Sequence, residues 1–440
     1  MSCRKTRRRP LELDVDRGSD GVYMSGLSAA VKTSTRVISI DALRGLVMFT
    51  MIFVNDLAGA PHNLVPGWMR HFHGASGMTF VDLVFPAFLF IVGMSIPFAL
   101  GARLRQGAAL WQIIGHILIR TVSLLAIGIM MVNDEAPGRD MSGLAPEVWA
   151  TLMYAAAILA FCSIAPRTAG AAAPRWRGVT WMLRGVGLLG MLTLAFMFRG
   201  DKGQRIITLS PLFIHTDWYG ILGLIAWSYL VGALVYLMFR ANSTALLGCV
   251  VLLLCLYPAD RTGLFEGVWL SRYLGIGEML GAHPSITVAG VLLASVLARG
   301  EDAGLGARVR FGSLFVFGFA AAALLLNGLY GINKNQATTS WCLWACAITG
   351  ALWLGFHLVC DGGPPPKFAR IIALAGANVL LAYLLSEMLP STLDVLHLGD
   401  WYGHLAEGSL FGAIARSAGC GVAILAAATG LNRLGFRLTL

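Results

Sequence analysis

A chain of 440 residues that is 57% hydrophobic and only 13% charged is not an ordinary soluble domain, in which about a quarter of the residues are charged. Its formal net charge of +10 does not point to nucleic acid, because the basic residues fall in short clusters between apolar runs and no basic helix with interleaved aromatics gathers them. The 8 cysteines contain no C-x-x-C pair and mostly sit inside apolar runs, so neither a disulfide framework nor a metal site is expected.

Residues 1–35 are basic and polar and lack the apolar stretch and cleavage site of a secretory signal; they read as a disordered cytoplasmic segment. From 36 to 434 the pattern is that of one all-α domain, a polytopic membrane helix bundle, followed by a short cytoplasmic tail at 435–440. With about 20 apolar residues needed per crossing, about 12 transmembrane helices are predicted. They lie at 42–57, 80–100, 113–132, 147–164, 181–198, 219–239, 244–258, 284–299, 311–331, 340–360, 370–390 and 408–430. The segment 244–258 is the weakest, being short for a full crossing, so the range is about 10–12.

Basic residues set the orientation. With the N-terminus in the cytoplasm, most of the 33 Lys and Arg residues fall on the cytoplasmic side, among them Arg103, Arg105, Arg167, Arg175, Arg177, Arg299, Lys367 and Arg433. That is the positive-inside pattern, and it predicts that both termini are cytoplasmic. Of the 9 histidines, all but His116 and His357 then fall in outer stretches. Histidine exchanges protons near neutral pH, so this one-sidedness suggests chemistry at the outer face.

The first span, "SIDALRGLVMFTMIFVNDLAGA", places Asp41 and Arg44 three apart at its cytoplasmic start, where they share a face, and Asn55 and Asp56 at its outer end. His71 and His73 follow in a Gly-containing loop. Asp82 comes three residues after Thr79, the spacing of a capping box; it can cap the second helix or orient a nearby imidazole. In "LAGANVLLAYLLSEMLP", Tyr383 and Glu387 share a face and Asn378 does not; a helix ending at Pro390 would leave Glu387 near the outer interface. "NGLYGINKNQATTSW" carries Asn327, Asn333, Lys334 and Asn335, either a polar binding turn or a simple outer turn.

"RVISIDALRGLVMFTMIFVN", a His-containing loop and "GMTFVDLVFPAFLFIVGMSIP" together resemble the heparan-α-glucosaminide N-acetyltransferase family and its bacterial relatives. "DWYGILGLIAWSYLVGALVY", "GINKNQATTSW" and "GANVLLAYLLSE" resemble later family segments in the same order, so the likeness spans about 36–390. It implies a multi-span transferase that takes acetyl from cytosolic acetyl-CoA, a co-substrate, and delivers it to an amine or hydroxyl, as on a sugar or glycan, across the membrane. Carried over, the catalytic residues are Asn55, Asp82 and a histidine among His71 and His73. The family places its histidine five before a glycine, as H-x-x-W-x-G; here Gly77 follows His71 by six and His73 by four, without the tryptophan. His71, directly after Trp68-Met69-Arg70, is favoured.

In this reading Arg44, Arg103 and Arg105 meet the CoA phosphates, His71 acts as base or acyl carrier, and Asn55 stabilises the oxyanion. Bacterial relatives imply the inner membrane as location, the lipid bilayer as surroundings and a second copy of the chain as a possible partner. The rival reading is a secondary transporter of a small polar solute with the outer histidines as proton carriers; no inverted repeat supports it.

Overall fold

The computed structural model describes residues 37–134, 139–165, 173–200, 203, 205–209, 212–214, 219–240, 242–298 and 304–440. Residues 1–35, Arg167, His215 and Arg299 lie outside them. In chain order the helices are α1 (Ile38–Ala58), α2 (Val81–Arg105), α3 (Leu110–Asp134), α4 (Pro146–Ala160), α5 (Ala173–Met197), α6 (Gly220–Phe239) and α7 (Ser243–Arg261). A π-helical turn, Ile276–Ala282, runs into α8 (His283–Ala298); α9 (Leu305–Tyr330), α10 (Thr339–Cys360), α11 (Lys367–Ala375), α12 (Val379–Val395), α13 (Gly399–Glu407) and α14 (Leu410–Arg433) follow. Short strands β1 (Cys162–Ile164), β2 (Ile207–Leu209), β3 (Leu212–Ile214) and β4 (Phe436–Leu438) pair antiparallel, β1 with β4 and β2 with β3.

The protein is an all-α polytopic membrane bundle. Among the described residues, 11 helical stretches are long and apolar enough to cross a bilayer, with α11 and α12 forming one interrupted span, Lys367–Val395. The segment 244–258, expected to be too short, is part of the 19-residue α7: the Asn242 side chain accepts from the Ala245 N–H at its start, and the helix continues through Pro258. The short element is instead α4, whose 15 residues reach only about 22 Å. Its chain leaves the helix at Cys162 to pair with β4, a partner distant in sequence that no local pattern announces.

Glycine sets the closest packing. A Cβ at Gly93 of α2 would run into the Thr287 carbonyl of α8, and one at Gly290 of α8 into the Phe90 carbonyl of α2. Backbones this close gain van der Waals contact where lipid offers no hydrophobic drive between helices. The stretch Ile276–Leu297 is accordingly 83% buried, while α7 and α9, each 22% buried, lie at the periphery. One face of the bundle joins the start of α1 to the end of α10: Ser39 Oγ and His357 Nδ1 both bond to the Asp361 carboxylate. The opposite face carries the end of α1, the start of α2 and the loop between α9 and α10.

Candidate active site

The loop after α1 is held before it reaches the histidines. Val65 and Met69 are buried with Leu57 of α1, Ala406 of α13 and Ala413 of α14. Thr79 Oγ1 then donates to the Arg70 carbonyl at 2.7 Å, which fixes the backbone next to His71. The same hydroxyl accepts from the Val81 N–H at 3.2 Å, and Asp82 Oδ2 accepts from the Thr79 N–H at 3.0 Å, the reciprocal bonds of a capping box.

Asp82 is 1% exposed, yet its two oxygens do different work. Oδ2 accepts the N–H groups of Thr79 and, at 3.1 Å, Phe72, which caps α2 and locks the loop. Oδ1 faces His71 Nδ1 at 2.8 Å. Helix capping and imidazole orientation, alternatives in the sequence, are both met by one carboxylate.

Lys334, from the loop after α9, places Nζ 3.2 Å from His71 Nδ1 and 3.9 Å from Asp82 Oδ1. One imidazole nitrogen cannot serve both neighbours. If Nδ1 accepted from Lys334, its lone pair would face the Asp82 carboxylate. The shorter contact and the charges therefore assign Nδ1–H as donor to Asp82, with Lys334 ion-paired to the same carboxylate. Nε2 then carries the free lone pair on a side chain that is 42% exposed. Burial lowers the Lys334 pKa from its ordinary 10.5, and Asp82 opposes the shift. The Lys334 loop is stitched to the His71 loop by Gly77 N–H donating to the Ile332 carbonyl at 2.8 Å and Ile332 N–H donating to Ser76 Oγ at 3.0 Å. A polar cavity of about 130 Å³ lies here, lined by Phe72, His73, Asp82, Asn333, Lys334 and Asn335.

The other expected residues are distributed. His73 lines this cavity but does not share Asp82's hydrogen bonds. Asn55 does not line it: its amide donates to Glu387 Oε1 at 3.1 Å, in a separate cavity of about 290 Å³ that also touches Asp394 and Tyr402. Glu387 is brought there by α12, which does not end at Pro390 but continues to Val395. Neighbouring Asp56 accepts from Tyr402, Arg416 and Ser417 and ties α1 to α13 and α14. Asn378 sits in a turn between α11 and α12, its amide donating to the Phe436 carbonyl of β4.

Arg44 does not share a cavity with Arg103 and Arg105. It pairs with Asp41 at 2.7 Å, donates to Ser95 at 2.6 Å, and lines a third cavity of about 290 Å³ inside the bundle. Its companion there is Arg120 of α3, stacked over Tyr229 at 4.6 Å with a buried, unbonded Nε. Arg103 instead contacts His116 at 2.9 Å. Arg120, an ionisable residue near the middle of an apolar span, carries the signal by which sequence alone could have singled it out. Along α2 this cavity runs from Leu100 to Phe88, roughly 18 Å, and stops within two turns of Asp82. Among the described residues no group of His, Cys, Asp and Glu could hold a metal ion.

Residues 36–262 match the family model described as a domain of unknown function, DUF5009, which covers half of the chain. The chain belongs to the DUF5009 family. This DUF5009 protein is also 36% identical over 100 residues to human heparan-alpha-glucosaminide N-acetyltransferase and 34% identical over 103 residues to the mouse protein of that name. Each match takes in 23% of this chain but only 14% and 15% of the human and mouse proteins, so the chain spans a small part of these curated relatives. The resemblance to this family seen in the sequence is thereby found independently.

Proposed function

We propose that this DUF5009 protein is an integral membrane acetyltransferase that moves an acetyl group from acetyl-CoA to an amine or hydroxyl, of a sugar or glycan, on the opposite side of the membrane. The observation that carries this is the His71–Asp82 dyad: an imidazole held in one tautomer by a buried, otherwise saturated carboxylate, with its second nitrogen open.

Acetyl-CoA enters from the cytoplasmic side, where Arg103 and Arg105 meet its phosphates and Arg44 and Arg120 draw the arm into the internal cavity. The acetyl end follows α2 toward Asp82. The acceptor comes to the outer face, where Asn55 and Glu387 bind its polar groups. His71 Nε2 takes the proton of the acceptor N–H or O–H as that atom attacks the thioester carbonyl. Asp82 stabilises the imidazolium, and Lys334, ion-paired to the same carboxylate, holds it in place. Collapse breaks the C–S bond, and the CoA thiolate recovers the proton from His71, leaving acetylated acceptor and free CoA. The chain resides in the cytoplasmic membrane of a bacterium with both termini inside.

Acetyl-CoA added to the purified protein should raise its Tm with concentration, as mass action requires, and Arg44→Ala or Arg120→Ala should abolish the rise. A wild-type Tm unmoved across a wide acetyl-CoA titration contradicts the donor assignment.

A further inference from the structure

Lysine is scarce in this chain. Arginine carries most of the positive charge, and the lysines are Lys5, Lys32, Lys202, Lys334 and Lys367. An arginine in place of Lys334 would hold Asp82 with a permanent charge. A lysine there also brings a primary amine, which becomes a nucleophile once it gives up its proton.

The loop fixes where that amine goes. Thr338 Oγ1 donates to the Gly331 carbonyl at 3.0 Å and accepts from the Asn333 N–H at 3.0 Å. Asn333 Oδ1 accepts from the Gln336 N–H at 3.1 Å, so the turn that bears Lys334 is pinned on both sides. Nζ is left 3.2 Å from His71 Nδ1 and 3.9 Å from Asp82 Oδ1, on a side chain that is still partly exposed. A thioester that meets an acceptor at His71 Nε2 lies across one imidazole ring from this amine, a gap the four-carbon side chain spans by a rotamer change. Burial lowers the pKa of Lys334 against the pull of Asp82, so more of the amine is neutral at a given pH than at the ordinary value. Lys334 also borders the polar cavity of about 130 Å³, together with His73 and Asp82. An acetyl group adds three heavy atoms, and three waters in the liquid occupy only about 90 Å³.

We infer that Lys334 is a self-acetylation site: with acetyl-CoA bound and no acceptor in place, the acyl thioester acetylates the Lys334 amine and silences the site. This rests on the acetyltransferase reading. The Nζ lone pair attacks the thioester carbonyl, the N–C bond forms and the C–S bond breaks. The proton lost from the amine goes to the CoA thiolate, leaving an amide and free CoA. The amide carries no charge, so Asp82 loses its ion pair and the acetamide fills space beside the dyad. An amide, unlike a thioester, does not pass its acetyl group on, so the block persists.

The test needs no known acceptor. Purified wild-type protein is incubated with acetyl-CoA bearing a deuterated acetyl group, then digested for peptide mass spectrometry. Lys367, which is exposed at the start of α11, serves as the internal standard. The expected result is label on Lys334 at least about tenfold faster than on Lys367, because the site brings amine and thioester together. Transfer to added glucosamine should fall in step with Lys334 occupancy. Lys334→Arg, which cannot be acetylated, should show no such progressive loss, whatever its starting rate. Equal labelling of Lys334 and Lys367 overturns the inference, since that is the ordinary reaction of any lysine with a thioester. An unlabelled Lys334 overturns it as well. A Tm that rises with acetyl-CoA then leaves the acetyltransferase reading standing, and a Tm that does not move removes both.

Discussion

The two oxygens of Asp82 have different partners, and that division predicts how Asp82→Asn will fail. Oδ2 takes two backbone N–H groups, so the amide oxygen must occupy its place, which turns the NH₂ toward His71. An NH₂ cannot accept from Nδ1–H; the imidazole shifts its proton to Nε2 and loses its base. Transfer should fall about 10²–10⁴-fold with the fold retained, measured as kcat beside a far-UV circular dichroism spectrum. Adding His71→Ala should cost little more, because residues acting as one unit are not additive. Lys334 gives a pH signature. Its pKa is lowered by burial, so its charge disappears as pH rises through a value below the ordinary 10.5. A pH–rate profile should show the Lys334-dependent part of turnover lost on that alkaline limb, and Lys334→Arg, which stays charged, should hold activity further up. The carboxylate and the histidine were legible in the sequence because they fall within a few residues of one helix start. Lys334 was visible only as a polar turn: it is 263 positions from His71, and nothing local links them.

The candidate site depends on how α1 and α2 are fixed. Arg416 and Asp56, with side chains 5% and 12% exposed, join α14 to α1 at the cavity that holds Asn55. Arg416→Ala leaves a buried carboxylate without its counter-charge and should cost about 3–5 kcal/mol, whereas Asp56→Leu with Arg416→Met together should cost much less. Thermal unfolding in detergent compares them. Gly93→Leu should be worse tolerated than either, since the Thr287 carbonyl of α8 occupies the space; loss of a monodisperse peak in size-exclusion chromatography reads this out. Hydropathy located nearly every one of these helices. The span at 244–258, the weakest by length, is completed by its Asn242 cap, whereas 147–164 falls short because the chain leaves the helix for the β1–β4 pairing. The interruption between α11 and α12 is equally hidden in the sequence, although Asn378 is out of phase with Glu387.

For the whole molecule, a cytosolic donor and an acceptor on the other side require that the His71 loop and the α2–α3 turn lie on opposite sides of the bilayer. In a background with the native cysteines replaced by serine, single cysteines at Ala75 and Gln106, both exposed, should differ in intact cells: an impermeant maleimide labels the first and spares the second. Composition was enough to predict the bundle, and basic-residue bias predicts the orientation that this labelling tests; the cavities arise only from packing. We propose that His71, held by Asp82, performs the transfer. It is tested most directly in proteoliposomes with radiolabelled acetyl-CoA on the cytoplasmic side and an amino-sugar acceptor on the other, comparing wild type, His71→Ala and His73→Ala. The predicted result is a loss of about 10²–10⁴-fold for His71→Ala, with acetyl-CoA binding intact and His73→Ala close to wild type. Full activity in His71→Ala, or loss confined to His73→Ala, would contradict it.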